Sequence, residues 1–218
     1  MDRYWLLTWR TYSSWLPGKE GFVGYYRTLD GHRDIDNILG TPATEEIPNL
    51  RRSMQESTKG PAIFLSLEQA GTLLKQFHET AVYRGWKLDA VAVMSNHVHL
   101  AFGVDGDPNP SDLLRDFKSY ASRALNRLGP KLHAPRWFAD GGSKRLLINE
   151  SSRIGAIQYV RNQNGPLLVW LSDEAAGIVD NFPGEPATSV AWVKTYLPLV
   201  ATTLEITYPL FVESHPGD

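Results

Sequence analysis

The chain has 218 residues with 42% hydrophobic and 21% charged side chains, a composition that buries the core of one soluble domain. It has no cysteine, which excludes disulfides, thiolate metal sites and thiol nucleophiles. The net charge of −2 argues against a nucleic-acid partner, but only as an average. Residues 111–163 hold ten Lys/Arg against four acids, whereas 164–218 hold Lys194 against seven acids. A basic middle and an acidic tail therefore cancel, and a basic middle admits a phosphate-rich partner as well as plain solvated helix faces. No run reaches the roughly 18 apolar residues of a membrane span, and Tyr4 to Trp9 is too short for a secretory leader, so a cytoplasmic protein is expected.

Tyr4 to Tyr12 is rich in aromatic and apolar residues and predicts a strand that ends near Pro17-Gly18. From about 18 to 61 the chain is polar and aperiodic, and reads as a long insertion with short elements at most. Ser66 followed by Gln69 predicts a capped helix start, and Ala70, Leu73, Leu74, Phe77, Ala81 and Val82 recur at helical spacing up to Gly85. Trp86 to Met94 and His97 to Val104 predict a hairpin across Ser95-Asn96. Ser111 is expected to cap a helix with Leu113, Leu114, Phe117, Tyr120, Ala121, Ala124 and Leu128 inside, ending at Gly129-Pro130. Arg145 to Ile148 predicts a short strand. A last helix is predicted from Ser151 or Ser152 to about Asn164. The order β–α–β–β–α–β predicts an α+β fold, a ferredoxin-like antiparallel sheet with helices packed on one face. Residues 1–166 are expected to form this domain, and 167–218 an acidic extension of unknown role.

The chemistry starts at His97-Val98-His99. On a strand these imidazoles share one face, roughly 6–7 Å apart at Cα, and two neutral imidazoles there can close on one divalent cation. The plainer reading is a pair of half-exposed histidines with structural hydrogen bonds, and a third ligand has to decide. His32, His78, His133 and His215 are scattered without a metal-like offset. In Ile157-Gln-Tyr-Val-Arg-Asn-Gln163, however, Tyr159 and Gln163 stand four apart, on one helical face. A phenol and an amide there can meet the pair as nucleophile and third ligand, or stand as a rim tyrosine beside a surface glutamine.

Met94-Ser-Asn-His-Val-His-Leu100 followed by Tyr159-Val-Arg-Asn-Gln163 resembles the single-tyrosine HUH transposases over roughly residues 3–166. Thr11-Tyr-Ser-Ser-Trp-Leu-Pro-Gly18 and the segment Arg136 to Arg145 are similar to the REP-associated branch. Asn162-Gln-Asn-Gly-Pro166 instead lies nearer the insertion-sequence pattern than the Asn-Pro that usually follows a REP-associated tyrosine. The acidic extension matches nothing in the family.

The resemblance implies an HUH endonuclease fold and a metal-dependent single-strand DNA endonuclease and strand transferase. Tyr159 would be the catalytic nucleophile, forming a 5′-phosphotyrosine. His97, His99 and Gln163 would hold Mg²⁺ or Mn²⁺. The partners implied are single-stranded or hairpin DNA and, in some members, a second copy of the chain; a nucleoid-associated location follows. Lys118, Arg123, Arg127, Lys144, Arg145 and Arg161 are candidate DNA contacts, each equally readable as a solvated charge. Tyr120 is a competing nucleophile whose spacing favours the core, as it does for most of Trp9, Trp15, Trp86 and Trp137. Two other functions stay open: a DNA-hairpin-binding protein without turnover, and a phosphodiesterase using activated water.

Overall fold

The structure, a computed structural model, describes residues 1–16, 26–27, 33–34, 47–129 and 133–181. The first strand, β1 (Arg3–Arg10), alternates between two cores: Trp5, Leu7 and Trp9 face one way, and Leu6 faces the other. In the insertion the described parts are a two-residue pair, β2 (Tyr26–Arg27) with β3 (Arg33–Asp34), and a short helix, α1 (Pro48–Glu56).

Helix α2 (Leu67–Arg84) starts on the predicted capping box. Ser66 Oγ accepts from Gln69 N at 3.2 Å, Gln69 Oε1 accepts from Ser66 N at 2.9 Å, and Gly85 closes the helix at φ 68°. Val82, expected inside, is exposed. The hairpin is β4 (Lys87–Val93) and β5 (His97–Val104). Helix α3 (Pro110–Leu128) is capped by Asn109 rather than Ser111: its side chain accepts from Ser111 N at 2.9 Å, and Pro110 occupies a first-turn position where no N–H is needed. Next come β6 (Ser143–Leu147), α4 (Glu150–Arg161), β7 (Leu168–Leu171) and α5 (Asp173–Asn181).

The five long strands form one antiparallel sheet in the order β6-β1-β5-β4-β7. The α2 crossover from β1 to β4 leaves the slot that β5 fills, which is the split βαβ arrangement. The α+β ferredoxin-like sheet is therefore observed, but its helices are not confined to one face. Helices α2 and α3 cover Leu7, Trp9, Val91, Val98, Leu100 and Phe102, whereas α4 and α5 cover Leu6, Ala90, Ala92, Ala101 and Leu147. The second face is lined by alanines, small enough for α4 to lie close, and a run of apolar residues does not reveal in one dimension that both faces are covered.

Residues 168–181, which the sequence reading left in the extension, join this fold: β7 pairs with β4, and Ala175 and Val179 enter the second core. Residues 182–218, most of the acidic extension, lie outside the described residues. No helix among the described residues is long and apolar enough to cross a membrane.

A β-bulge between Leu88 and Ala90 leaves Asp89 out of the β4·β5 register. Its fully buried carboxylate takes a two-pronged contact from Arg153 of α4, Nε to Oδ2 at 2.8 Å and Nη2 to Oδ1 at 2.9 Å. Arg153 also reaches Glu174 of α5 at 2.9 Å and lies 4.2 Å over the Tyr4 ring. One guanidinium thereby ties α4 to the sheet and to α5.

Candidate active site

His97 and His99 open β5 on the face that α4 covers. The strand register sets Arg10 opposite His97 and Thr8 opposite His99. Each imidazole is held through Nδ1: His97 Nδ1 donates to Asn96 Oδ1 at 2.6 Å, and His99 Nδ1 meets Thr8 Oγ1 at 2.8 Å. Such contacts orient a ring and leave Nε2 for another partner. The two rings lie 4.7 Å apart at 89°. Nε2 of His99 is buried and has no hydrogen-bond partner, an uncommon state for a polar atom inside a protein.

Tyr159, near the end of α4, sets its ring 5.0 Å from that of His99 at 86°, and the side chain is 50% exposed, so it faces the pair and solvent together. Gln163 does not continue the helical face as expected. Helix α4 starts at Glu150, after an Asn149 cap, and ends at Arg161 with Asn162 as C-cap. The side chain of Gln163 folds back instead, its Nε2 donating to the Tyr159 carbonyl at 2.8 Å. The amide thus closes a carbonyl that the helix end leaves open and stands beside His99.

The electrostatics keep both imidazoles neutral. Burial, reinforced by the Arg10 charge, pushes His97 down to about 4. Burial, then His97, push His99 down to about 3 against the opposing pull of the Gln163 amide. Among the described residues no cluster of three His, Cys, Asp or Glu exists. A cation here would thus have two neutral imidazoles and an amide. The unpartnered Nε2 of His99 fits that donor set, and a hard cation would need phosphate or water oxygens to complete its shell.

These shifts predict acid lability. The unfolded chain protonates its histidines below about 6.5, and the folded chain resists until about 4 and about 3. Stability should therefore fall as pH drops from about 6.5 toward 3, by up to about 1.4 kcal/mol per pH unit from His99 and less from the more exposed His97. Urea midpoints measured between pH 7 and pH 4 check this; a His99→Leu chain with the same pH slope as the native one would contradict it.

The candidate DNA contacts are split between the two sheet faces. Arg145 pairs with Leu6 across β1·β6 and so shares the histidine face; Lys144 pairs with Leu7 and faces α3. Lys118 turns inward, its Nζ donating to the carbonyls of Ala139 at 2.5 Å and Gly141 at 2.9 Å. Burial pushes this ammonium down to about 8, Asp140 pulling it up and Arg136 and Lys144 pressing it down. It pins the loop before β6 rather than reaching into solvent. Lys118, Lys144, Arg115 and Arg136 line a groove of about 390 Å³ on that far face.

Arg123 lies 5.2 Å from the Tyr120 ring and Arg127 donates to Gln76 at 3.2 Å, both on α3, while Arg161 pairs with Asp180 at 3.1 Å. Tyr120, on the α3 side, is separated from the histidines by the sheet. Trp9 and Trp137 are core residues and Trp86 packs against Phe102 and Phe117. The sequence reading missed Thr8, Arg10 and Asn96. Asn96 carried a signal, being next to His97; the other two become visible only once the β1·β5 register is known.

A sequence model of the family described as "Transposase IS200 like" matches residues 62–163. No curated protein matches the chain. A solved structure described as "Structure of the REP associates tyrosine transposase bound to a REP hairpin" is similar at 12% identity and a TM-score of 0.41, over 73% of this chain and 65% of that one. This chain thus spans slightly under two thirds of that protein's length. The family match runs from the approach to α2 through Gln163, slightly under half of the chain, and takes in both the histidine strand and the tyrosine helix, so it is to the IS200-like transposases that this segment is similar.

Proposed function

We propose that the protein nicks and rejoins single-stranded or hairpin DNA through a covalent bond to Tyr159. The observation that carries this reading is the Tyr159 ring set against His99, whose buried Nε2 has no partner. Tyr159 Oη would attack the scissile phosphorus as the P–O3′ bond breaks. A 5′-phosphotyrosine remains, the departing oxygen takes up a proton to become a 3′-OH, and the phenol proton passes to solvent. The bond energy is kept for rejoining to another end.

His97, His99 and Gln163 would hold Mg²⁺ or Mn²⁺, which when bound supplies Lewis-acid withdrawal of charge from the phosphate. The chain's own residues support this by keeping the imidazoles neutral and oriented: Thr8 and Asn96 engage Nδ1 and leave Nε2 available. Tyr159 is exposed enough for a strand to reach it, and its helix is anchored by Arg153.

The test is incubation with single-stranded hairpin DNA and Mn²⁺, followed by a denaturing gel that resolves a protein–DNA adduct. Metal binding is checked separately by Mn²⁺ electron paramagnetic resonance. His99→Ala should weaken Mn²⁺ binding at least about tenfold. Unchanged Mn²⁺ affinity would remove His99 from the ligand set.

A further inference from the structure

The turn Thr11-Tyr-Ser-Ser-Trp15 after β1 is not used by the chemistry above, yet several hydrogen bonds hold it. One carbonyl, that of Asn96, accepts from Thr11 N at 2.9 Å, Thr11 Oγ1 at 3.0 Å and Ser14 Oγ at 3.1 Å. Thr11 Oγ1 also donates to Ile63 O at 2.6 Å, and Ser14 Oγ to Thr11 O at 3.0 Å. Ser13 is held at φ 57°, left-handed backbone that a serine adopts only where its surroundings impose it. The side chain of the same Asn96 orients His97. One residue therefore couples the turn to the histidine pair.

What the turn presents is Arg10, the cross-strand neighbour of His97, with its guanidinium 4.9 Å from the centre of the Trp15 ring. Neighbours in an antiparallel register lie roughly 5 Å apart at Cα, so a cation stands at the edge of the histidine pair. On the same face, Thr8 pairs with Ser143, and Arg145 follows two residues later, exposed and without an ion-pair partner among the described residues. From Arg10 to Arg145 the strand geometry gives about 14 Å, enough for more than one backbone phosphate. On this face α4 and α5 cover Ala90, Ala92 and Ala101 and, on β1 and β6, Leu6 and Leu147, whereas Thr8, Arg10 and Ser143 are half-buried and Arg145 is exposed, so this end of β1 and β6 is where a polyanion can approach Tyr159.

We infer that Arg10 and Arg145 form a phosphate track on the histidine face, Arg10 gripping the substrate phosphate beside the histidine pair and Arg145 a neighbouring one. This rests on the strand-transfer reading for its chemistry, but the track itself is a matter of binding. Arginine suits the inner position because its fork meets two phosphate oxygens, which a lysine cannot do, and stacking on Trp15 fixes its plane.

The test is equilibrium binding of a labelled mixed-sequence single-stranded oligonucleotide over a range of salt, beside adduct formation at saturating DNA. Arg145→Ala should weaken binding about three- to tenfold near 0.1 M salt. It should also flatten log K against log salt by about 0.7, the loss of one phosphate contact. Arg10→Ala should flatten the slope equally and also slow the adduct at saturation at least tenfold. Arg10→Lys, which keeps the charge, should restore the slope but not the rate, separating a phosphate grip from a structural role. Lys144→Ala, on the same strand but the opposite face, should cost less affinity than Arg145→Ala. Equal losses at 144 and 145, or native slopes in both arginine variants, would overturn the track. A native chain that binds with these slopes but forms no adduct would overturn the strand-transfer reading and leave the track standing.

Discussion

Replacing Tyr159 by Phe is expected to abolish the covalent protein–DNA adduct while leaving the fold and DNA affinity intact. The substitution removes one oxygen and keeps the ring that packs at 5.0 Å against His99, in a side chain half exposed to solvent. Stability should therefore change by no more than about 0.5 kcal/mol. The proposed nucleophile, by contrast, is lost outright, and adduct should fall below detection, about a thousandfold or more. Tyr120→Phe should have no such effect, because Tyr120 sits on α3, with the sheet between it and the histidines. An adduct that survives Tyr159→Phe would sink the assignment. DNA cleavage without any adduct in the native chain would favour attack by activated water. Binding without cleavage would point to a hairpin-binding protein that has lost turnover.

The largest effect on stability is expected at Arg153. Arg153 is 6% exposed and carries both prongs of the contact to Asp89, itself fully buried, as well as the contact to Glu174. Arg153→Met keeps much of the volume but strands the Asp89 carboxylate in the second core. Removing one partner of a buried ion pair costs about 3–5 kcal/mol, most of it the penalty on the charge left behind. For a chain of this size that corresponds to a fall in Tm of about 10 °C or more. Thermal and urea unfolding at pH 7 measure it. The double variant Arg153→Met/Asp89→Leu should recover most of the loss, since two apolar groups replace two charges. A single variant within about 1 kcal/mol of native would show that water reaches Asp89 and that the pair does not clamp α4. Because α4 carries Tyr159, this clamp also sets where the phenol stands relative to the histidines.

Much of the frame was legible in one dimension. The Ser66/Gln69 capping box, the Gly85 stop and the hairpin across Ser95-Asn96 are local matters of hydrogen bonding and backbone freedom, and they appear where the residues place them. The misplaced features depend on what lies across space. Val82 keeps the helical period but finds no neighbour to cover it, and Asn109 outcompetes Ser111 as a cap because Pro110 already fills the first turn. Alternation on a strand put His97 and His99 on one face, and family spacing pointed to Tyr159 and Gln163.

By itself, then, the sequence determined the order of elements, the sharing of a face by the two imidazoles, and the family that the segment around them resembles. Only the tertiary structure decided which face α4 covers, that Gln163 arrives by folding back over the helix end, and that the candidate basic residues divide between two sides of the sheet. The physical reason is that strand register is a relation between distant segments. A shift of one residue in β1 against β5 would turn Thr8 and Arg10 away from the histidines, and nothing local to either strand records which alignment wins. Burial on both faces, summed over the whole sheet, selects it.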